Sequence, residues 1–314
     1  MAKYLVTGGA GFIGCNLARF ILAQGHDVVV LDNFATGKPR NIADISRKIR
    51  FIEGDIRDRS AVEDAMAGCQ AVFHEAALGA VLRSVEDPVT SHDVNVNGTI
   101  TVLEAARKLG VKRMVFAASS SAYGNQKESP KHEGMVPSPI SPYAASKVAC
   151  EAYMQAYAGV YGLETLCLRY FNVYGPYQDP LGAYAAVIPL FVSALLKGKR
   201  PQVDGDGEQS RDFCFIENVC HANWLAAHAP AKVCTGRAVN IACNSKTTIN
   251  EILRTLQDLL GTKVEAIHGP DRPGDVKHSL ADISLAKKLI GYEPKVFFRE
   301  GLTKAIDWYK ANLG

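Results

Sequence analysis

The sequence predicts an α/β protein, a doubly wound parallel sheet followed by a smaller mixed α/β lobe. Three observations predict it. A short apolar run from Lys3 ends in glycines at 8, 11 and 14, and a helical apolar pattern (Phe12, Ile13, Leu17, Phe20, Ile21, Leu22) follows at once. A second apolar run, His26 to Leu31, ends in Asp32, 24 positions after Gly8. Strand and helix patterns then alternate every roughly 20 to 30 residues, the rhythm of parallel βαβ units.

The glycine spacing has a physical reading. Gly8 permits a turn that a β-carbon would obstruct. Gly11 lets backbone lie close to a pyrophosphate, and Gly14 lets the helix pack tightly on the strand. The helix start offers unpaired N–H groups and a positive dipole end to phosphates. Asp32 falls about where a Rossmann carboxylate meets adenosine ribose hydroxyls. The first half is therefore expected to bind a dinucleotide.

The chain has 314 residues, 47% of them hydrophobic and 21% charged, with a net charge of +3, so a large core can form. Charges of both signs are mixed throughout, without a basic tract, which argues against nucleic acid as a partner. No apolar run approaches about 18 residues, so no membrane span is expected. The first strand begins at once, which is read as leaving no room for a signal peptide. Eight cysteines, at 15, 69, 150, 167, 214, 220, 234 and 243, form no Cys-x-x-Cys pair and have no histidine at zinc spacing. They read as reduced core thiols in a cytoplasmic protein, and no metal site is expected.

Taken in order, Asn33 to Pro39 is a loop, and Arg50 to Asp55 reads as a third strand followed by Ile56, where a side chain reaches toward an adenine. Ser60 to Ala67 is predicted helical, Ala71 to His74 a strand, and His74-Glu75-Ala76-Ala77 a small-residue turn that lets a flat group approach the backbone. A long helix is predicted from about Val89 to Leu109, containing Asn95. Lys112 to Ala118 is the fifth strand and runs into Ser119-Ser120-Ser121. Ser141 is an N-cap and Pro142 the first residue of a helix carrying Tyr143 and Lys147. Leu163 to Tyr170 is the sixth strand, ending in Tyr170-Phe171-Asn172-Val173. Ligands in such sheets bind at the carboxyl ends of the strands, where the glycine turn, Asp32, Asp55, Ala76-Ala77 and Ser119 all fall.

After Pro176 the alternation fades. Gly182 to Pro189 leads a helix to about Lys197. Asp204-Gly205-Asp206-Gly207 reads as the tight turn of a hairpin, since further calcium ligands are missing. Arg211 to Phe213 begins a strand, and helices are predicted over Val219 to Ala229 and Ile249 to Leu260. Residues 1–175 are assigned to the dinucleotide-binding domain, with part of 212–245 returning to it, and 176–314 mainly to a substrate lobe.

Tyr143 and Lys147 are four apart, hence on one helix face. A lysine cation there favours a phenolate, which suits Tyr143 to remove a proton, and an oxidised nicotinamide pushes the same way. The serine hydroxyls after strand five are placed to hydrogen-bond the same substrate oxygen.

Thr7-Gly8-Gly9-Ala10-Gly11-Phe12-Ile13-Gly14, Ser119 with Tyr143 and Lys147, and Tyr170-Phe171-Asn172 resemble the extended short-chain dehydrogenase/reductases over nearly the whole chain. Within them, Leu181 to Pro189, Gly205 to Glu208 with Ser210 to Phe213, and Gly274 to Asp282 resemble the NAD-dependent UDP-sugar 4-epimerases, especially those acting on UDP-N-acetylglucosamine. The resemblance implies a catalytic trio of Ser119, Tyr143 and Lys147. It implies NAD held by Gly8, Gly11, Phe12, Ile13, Asp32, Asn33, Thr36 and Gly37, by Asp55 and Ile56 at the adenine, and by Ala76, Ala77, Asn95, Tyr143, Lys147, Tyr170 and Val173. It implies a UDP-sugar held by Gly79, Ser119, Ser120, Tyr143, Asn172, Ala186, Val187 and Asp204, with Arg211 and Arg272 on the diphosphate, Asp275 on the uridine ribose and Ser279 at the sugar. A homodimer built on the helices near 89–109 and 144–161 is implied as well.

Ser120 and Ser121 stand where related dehydratases and decarboxylases resemble one another in placing an acid, so elimination lacks its extra acid. Ser279 stands where epimerases restricted to plain hexoses tend to carry a bulky residue, and Gly79-Ala80 also leaves space. Glu75 and Gly79 depart from the commonest wording of the family. The implied reaction is removal of the 4-hydroxyl proton by Tyr143, directly or through Ser119, transient oxidation to a 4-keto sugar, rotation, and reduction from the other face. UDP-glucose or UDP-glucuronate epimerisation, a 4-keto reductase that releases its cofactor, and a dinucleotide sensor without catalysis are the alternatives.

Overall fold

The computed structural model describes residues 1–179, 186–270 and 277–313. Strand β1 (Lys3–Thr7) runs through the glycine turn into α1 (Phe12–Ala23), then β2 (Asp27–Asp32), β3 (Ile49–Glu53), α2 (Arg59–Met66) and β4 (Ala71–His74). Helices α3 (Val81–Glu86), α4 (Pro88–His92) and α5 (Gly98–Lys108) lead to β5 (Arg113–Ser119), α6 (Pro142–Tyr161) and β6 (Glu164–Tyr170). The remainder comprises β7 (Val173–Tyr174), α7 (Val187–Leu196), β8 (Gln202–Asp204), β9 (Ser210–Arg211), β10 (Cys214–Phe215), α8 (Ile216–His228), β11 (Thr235–Ile241), β12 (Thr247–Thr248), α9 (Ile249–Leu260), β13 (Ile267–Gly269), α10 (Ser284–Ile290) and α11 (Phe298–Leu313).

Seven strands form one sheet in the order β11-β6-β5-β4-β1-β2-β3, and every pairing in it is parallel. The order reverses between β1 and β4, and such a switch point opens a crevice at the carboxyl ends. The strands are apolar on both sides because helices cover both faces. One apolar core lies between the sheet and α1 with α8, and it continues into α7, α9, α10 and α11. The other lies between the sheet and α2, α5 and α6. The chain crosses back after residue 176: β10 pairs with β7, and β11 joins the main sheet beside β6.

One expectation is refined and two are corrected. The long helix expected from Val89 to Leu109 is present, α4 running into α5 through a wide π-helical turn at Asp93–Asn97. The Asn95 carbonyl there accepts the Thr99 hydroxyl at 2.6 Å and the Cys150 thiol at 3.2 Å, side-chain bonds that compete with the regular ladder. The turn at Asp204–Gly207 closes no hairpin, since β8 pairs with β13 and β9 with β12. The strand expected from Arg211 is two short pieces, β9 and β10, because the Asp212 carboxylate between them leaves the strand direction to accept the Cys243 N–H at 2.9 Å and the Ala281 N–H at 3.2 Å.

Beneath the sheet edge, Arg169 and Glu151 form a buried bidentate pair, Nε to Oε1 at 2.9 Å and Nη2 to Oε2 at 2.7 Å, with the guanidinium carbon 4.8 Å from the Tyr123 ring centroid. Removing one partner strands a charge away from water. Glu151→Ala should therefore cost about 3–5 kcal/mol in chemical denaturation, whereas replacing both residues by apolar ones of similar volume should cost far less. Equal losses in the two variants would contradict this.

Candidate active site

The glycine turn is built by close approach. Gly8 has φ +66°, and a β-carbon on it would lie 2.7 Å from the Ala76 Cα and N. A β-carbon on Gly14 would lie 2.3 Å from the Gly8 oxygen, which ties α1 to the turn. Gly11 precedes α1, and no side chain caps the first N–H groups there, so they face the cleft unpaired. Asp32 is buried and accepts the Ala10 N–H at 2.9 Å and the Phe34 N–H at 2.8 Å, each carboxylate oxygen keeping a further lone pair. Burial pushes its carboxyl above the usual range, against the backbone N–H groups that lower it.

Four cavities follow one another along the strand ends. The first, about 180 Å³, is lined by Asp32, Asn33, Thr36, Asp55, Ile56, Ala76 and Ala77. The second, about 650 Å³, shares Gly8, Asp32, Thr36, Ala76 and Ala77 with it and adds Gly11, Phe12, Ile13, Gly37, Gly79, Tyr143, Lys147, Tyr170 and Ala186. Tyr143 is the wall between that cleft and a third cavity of about 460 Å³, lined by Ser119, Ser120, Ser121, Asn172, Arg211 and Ser279. Asn172 and Arg211 pass on to a fourth of about 290 Å³, with Val173, Ala186, Val187 and Asp204. The sizes and order suit an adenosine end, a nicotinamide end, a sugar and a nucleotide.

Arg57 at 2.8 Å, and Asn33 at 2.9 Å, hold Asp55 at the mouth of the first cavity, and Arg57 keeps its carboxyl below the usual range. Helix α6 starts where the sequence places it: the Ser141 hydroxyl accepts the Ala144 N–H at 3.1 Å and Pro142 opens the first turn. The Tyr143 N–H is held by the Ser84 hydroxyl of α3 at 3.0 Å. Lys147 is buried, donates to the Ala117 carbonyl at 2.7 Å, and lies 4.7 Å from the Phe116 ring centroid and 5.9 Å from that of Tyr143. Ser119 Oγ accepts both the Ser121 N–H at 3.2 Å and the Ser121 hydroxyl at 2.8 Å, which leaves its own proton to point into the cavity. The Ser279 N–H donates to the Ser210 carbonyl at 3.0 Å, and Arg211 Nη1 donates to the Ser210 carbonyl at 3.0 Å, so these two substrate-side residues share one anchor.

A buried polar chain ties the glycine turn to this helix. His74 is kept neutral by burial and by Lys147, its imidazole pushed down to about 3. Its rings meet Thr7 Oγ1 at 2.7 Å and Thr99 Oγ1 at 2.9 Å. Thr99 gives its proton to Asn95, so it accepts from His74 Nε2–H, and Nδ1 accepts from Thr7. Asn95 binds the Leu78 N–H at 2.8 Å and Ser146 Oγ at 3.1 Å.

Not every expected residue reaches the place assigned to it. Asn95 lies inside the fold, where it fixes the Leu78 backbone, and borders none of the four cavities. Val173 lines the fourth cavity and Gly79 the second. Arg272 and Asp275 lie outside the described residues, as does the stretch Leu181 to Ala185. Ser84 and Lys131 were not foreseen. Lys131 is buried, lines the third cavity and donates to the Glu128 carbonyl at 2.8 Å and to the Gln126 carbonyl. Ser84 carries no local sequence signal because it acts on a helix 59 residues away, whereas Lys131 holds carbonyls of its own loop. Among the described residues no helix is long and apolar enough to cross a membrane.

A doubly wound sheet with a glycine turn, a ribose-side acid and a Tyr/Lys pair in one cleft defines a dinucleotide-dependent enzyme of the short-chain type. Residues 4–242 match the model of the "NAD dependent epimerase/dehydratase family", and the chain belongs to that family, with NAD as its cofactor. It is 39% identical over 310 residues, 98% of each chain, to a putative UDP-glucose 4-epimerase of Methanocaldococcus jannaschii. It superposes on the UDP-N-acetylglucosamine 4-epimerase of Methanobrevibacter ruminantium, solved with UDP-N-acetylmuramic acid, with a TM-score of 0.93 at 36% identity, covering 99% of this chain and 98% of that one. The UDP-glucose 4-epimerase of Thermus thermophilus, solved with NAD, gives a TM-score of 0.88 at 36% identity and covers 99% of both chains.

The described residues fit NAD. The cradle between Gly8 and Ala76 has no room for a β-carbon, and the uncapped start of α1 faces the cleft. Gly8→Ala should therefore bring the NAD content of the purified protein close to zero, read by cofactor release on denaturation. Full retention in that variant would contradict the reading of the turn.

Proposed function

We propose that this chain catalyses C4 epimerisation of a UDP-hexose, preferably the interconversion of UDP-N-acetylglucosamine and UDP-N-acetylgalactosamine. The observation that carries the reading is the position of Tyr143, the one residue among those described that borders both the cofactor cleft and the cavity holding Ser119 and Ser279. Bound NAD supplies the chemistry of taking and returning a hydride. The protein's part is proton transfer and placement. Tyr143, with Lys147 beneath it, takes the 4-hydroxyl proton, directly or through Ser119, and returns it at the end. Arg211, with Arg272, holds the diphosphate while the sugar turns over, an arginine fork being suited to phosphate oxygens. Asp32 holds the adenosine ribose and Lys147 the nicotinamide ribose. Ser120 and Ser121 supply no acid for elimination, which supports return of the proton to the same carbon's oxygen.

Preference for the acetylated sugar rests on Ser279, whose small side chain borders the 460 Å³ cavity. The second reading, UDP-glucose, is favoured by the whole-length similarity to proteins of that name. A second copy of the chain is the proposed partner. Leu109, Tyr153, Val160 and Tyr161 are exposed at the end of α5 and along α6, and Val160 is 73% exposed. Such a surface is costly to leave in water.

Tyr143→Phe should abolish turnover while NAD stays bound. Turnover at the wild-type rate would remove the assignment. Ser279→Tyr should depress kcat/KM for UDP-N-acetylglucosamine about tenfold or more while sparing UDP-glucose, the scale expected when a pocket loses room for one group. Equal losses on both sugars would contradict the role given to Ser279.

A further inference from the structure

Glu75 is an ionisable side chain that the proposed chemistry does not use, and it lines the cofactor cleft. It borders the same 650 Å³ cavity as Tyr143, Lys147 and Tyr170. Its backbone is fixed by the strand β1 edge, where its N–H donates to the Thr7 carbonyl at 3.3 Å. One carboxyl oxygen, Oε1, accepts the Tyr170 hydroxyl at 2.8 Å, and Tyr170 in turn accepts from Asn223 Nδ2 of α8 at 2.7 Å. The other, Oε2, is buried and has no partner in the protein. A buried acceptor left open calls for an explanation.

The charges around it suggest one. Lys147 is buried, and among the described residues no carboxylate lies within ion-pair distance of it. An oxidised nicotinamide is also cationic, whereas the reduced ring is neutral. Two positive charges in a water-poor cleft would repel, and the repulsion would vanish on reduction, so Lys147 alone biases the site towards the reduced cofactor. A reaction that begins with an oxidised cofactor and must return to one needs that bias offset. Glu75 lines the same cleft as Lys147 and feels its charge, and burial pushes its carboxyl up to about 7, against the Tyr170 hydrogen bond and the Lys147 charge, so it ionises most readily when a further cation arrives.

We propose that Glu75 is the counter-charge of the oxidised nicotinamide: a carboxylate, held by Tyr170 and offsetting Lys147, that makes the site bind NAD⁺ in preference to NADH. The inference rests on the proposed placement of the nicotinamide end beside Lys147. Its effect is on the poise of the bound cofactor, and it transfers no proton in the reaction.

The test is to dialyse the holoenzyme against NAD⁺/NADH mixtures of fixed ratio and read the bound ratio by NADH absorbance and fluorescence. Glu75→Gln keeps the size and an acceptor for Tyr170 but removes the charge, and Glu75→Met removes both charge and polarity. Either should shift the bound ratio about tenfold towards NADH, which for a two-electron couple is about 30 mV. Tyr170→Phe removes a hydrogen bond that favours the carboxylate and should shift the ratio the same way but by less than Glu75→Gln. An unchanged ratio in both Glu75 variants, or a larger shift in Tyr170→Phe than in Glu75→Gln, would overturn the proposal. Equal weakening of both cofactor forms would mark Glu75 as a packing residue only and would overturn it too. Wild-type protein that, once stripped of its cofactor, takes up neither form would remove the site reading itself, and the proposal with it.

Discussion

A lysine ammonium taken out of water is the constraint around which the cleft is built. Lys147 is 3% exposed, and a charge so placed is tolerated only where neighbours replace its hydration. The Ala117 carbonyl, near the end of β5, and the Phe116 ring do part of this. That carbonyl lies one residue past the last β4–β5 pair, His74 with Phe116, and the helix that carries Lys147 starts on a Ser141-Pro142 cap that sets its register against β5. Tyr143, one turn earlier on the same helix, is thereby fixed over the mouth of the sheet.

The rest of the site follows from the same edge. Strand ends at β1, β2, β4, β5 and β6 meet where the sheet order reverses, and each delivers a turn rather than a continuing strand. Backbone approach at Gly8 and Ala76 makes room for a flat, charged ligand. The neutral His74, clamped between Thr7 and Thr99, and Asn95, bonded to Leu78 and Ser146, couple the glycine turn to the Tyr143 helix from behind, none of Thr7, His74, Thr99, Asn95 and Ser146 bordering the four cavities. The cofactor side and the proton-transfer side are thus one packed unit, while the nucleotide side is assembled from shorter strands that borrow their partners from far along the chain.

That difference explains what the sequence made legible. The glycine turn, Asp32, the six alternating strands and the Tyr143/Lys147 face depend on spacings of a few residues, so local pattern suffices. The π turn at Asp93–Asn97 depends on bonds from Asn95 to Leu78 and from Cys150 to the Asn95 carbonyl, across 17 and 55 residues, and periodicity cannot report them. The separate pairings of β8 and β9 escaped for the same reason, since a turn sequence specifies a reversal but not which strand lies alongside. Ser84 holds the Tyr143 N–H from 59 residues away, and its own segment looks like an ordinary helix face. Glu75 was visible as a departure in wording, but its meaning needs the Tyr170 hydroxyl and Lys147 in space.

The account stands most directly on one assay: purified protein, without added NAD, equilibrated with UDP-N-acetylglucosamine and separately with UDP-glucose. Formation of the galacto epimer of the acetylated sugar is predicted, since it requires retained cofactor, C4 chemistry and room at Ser279 together. No conversion of either sugar, even with NAD supplied, would contradict the account at its centre.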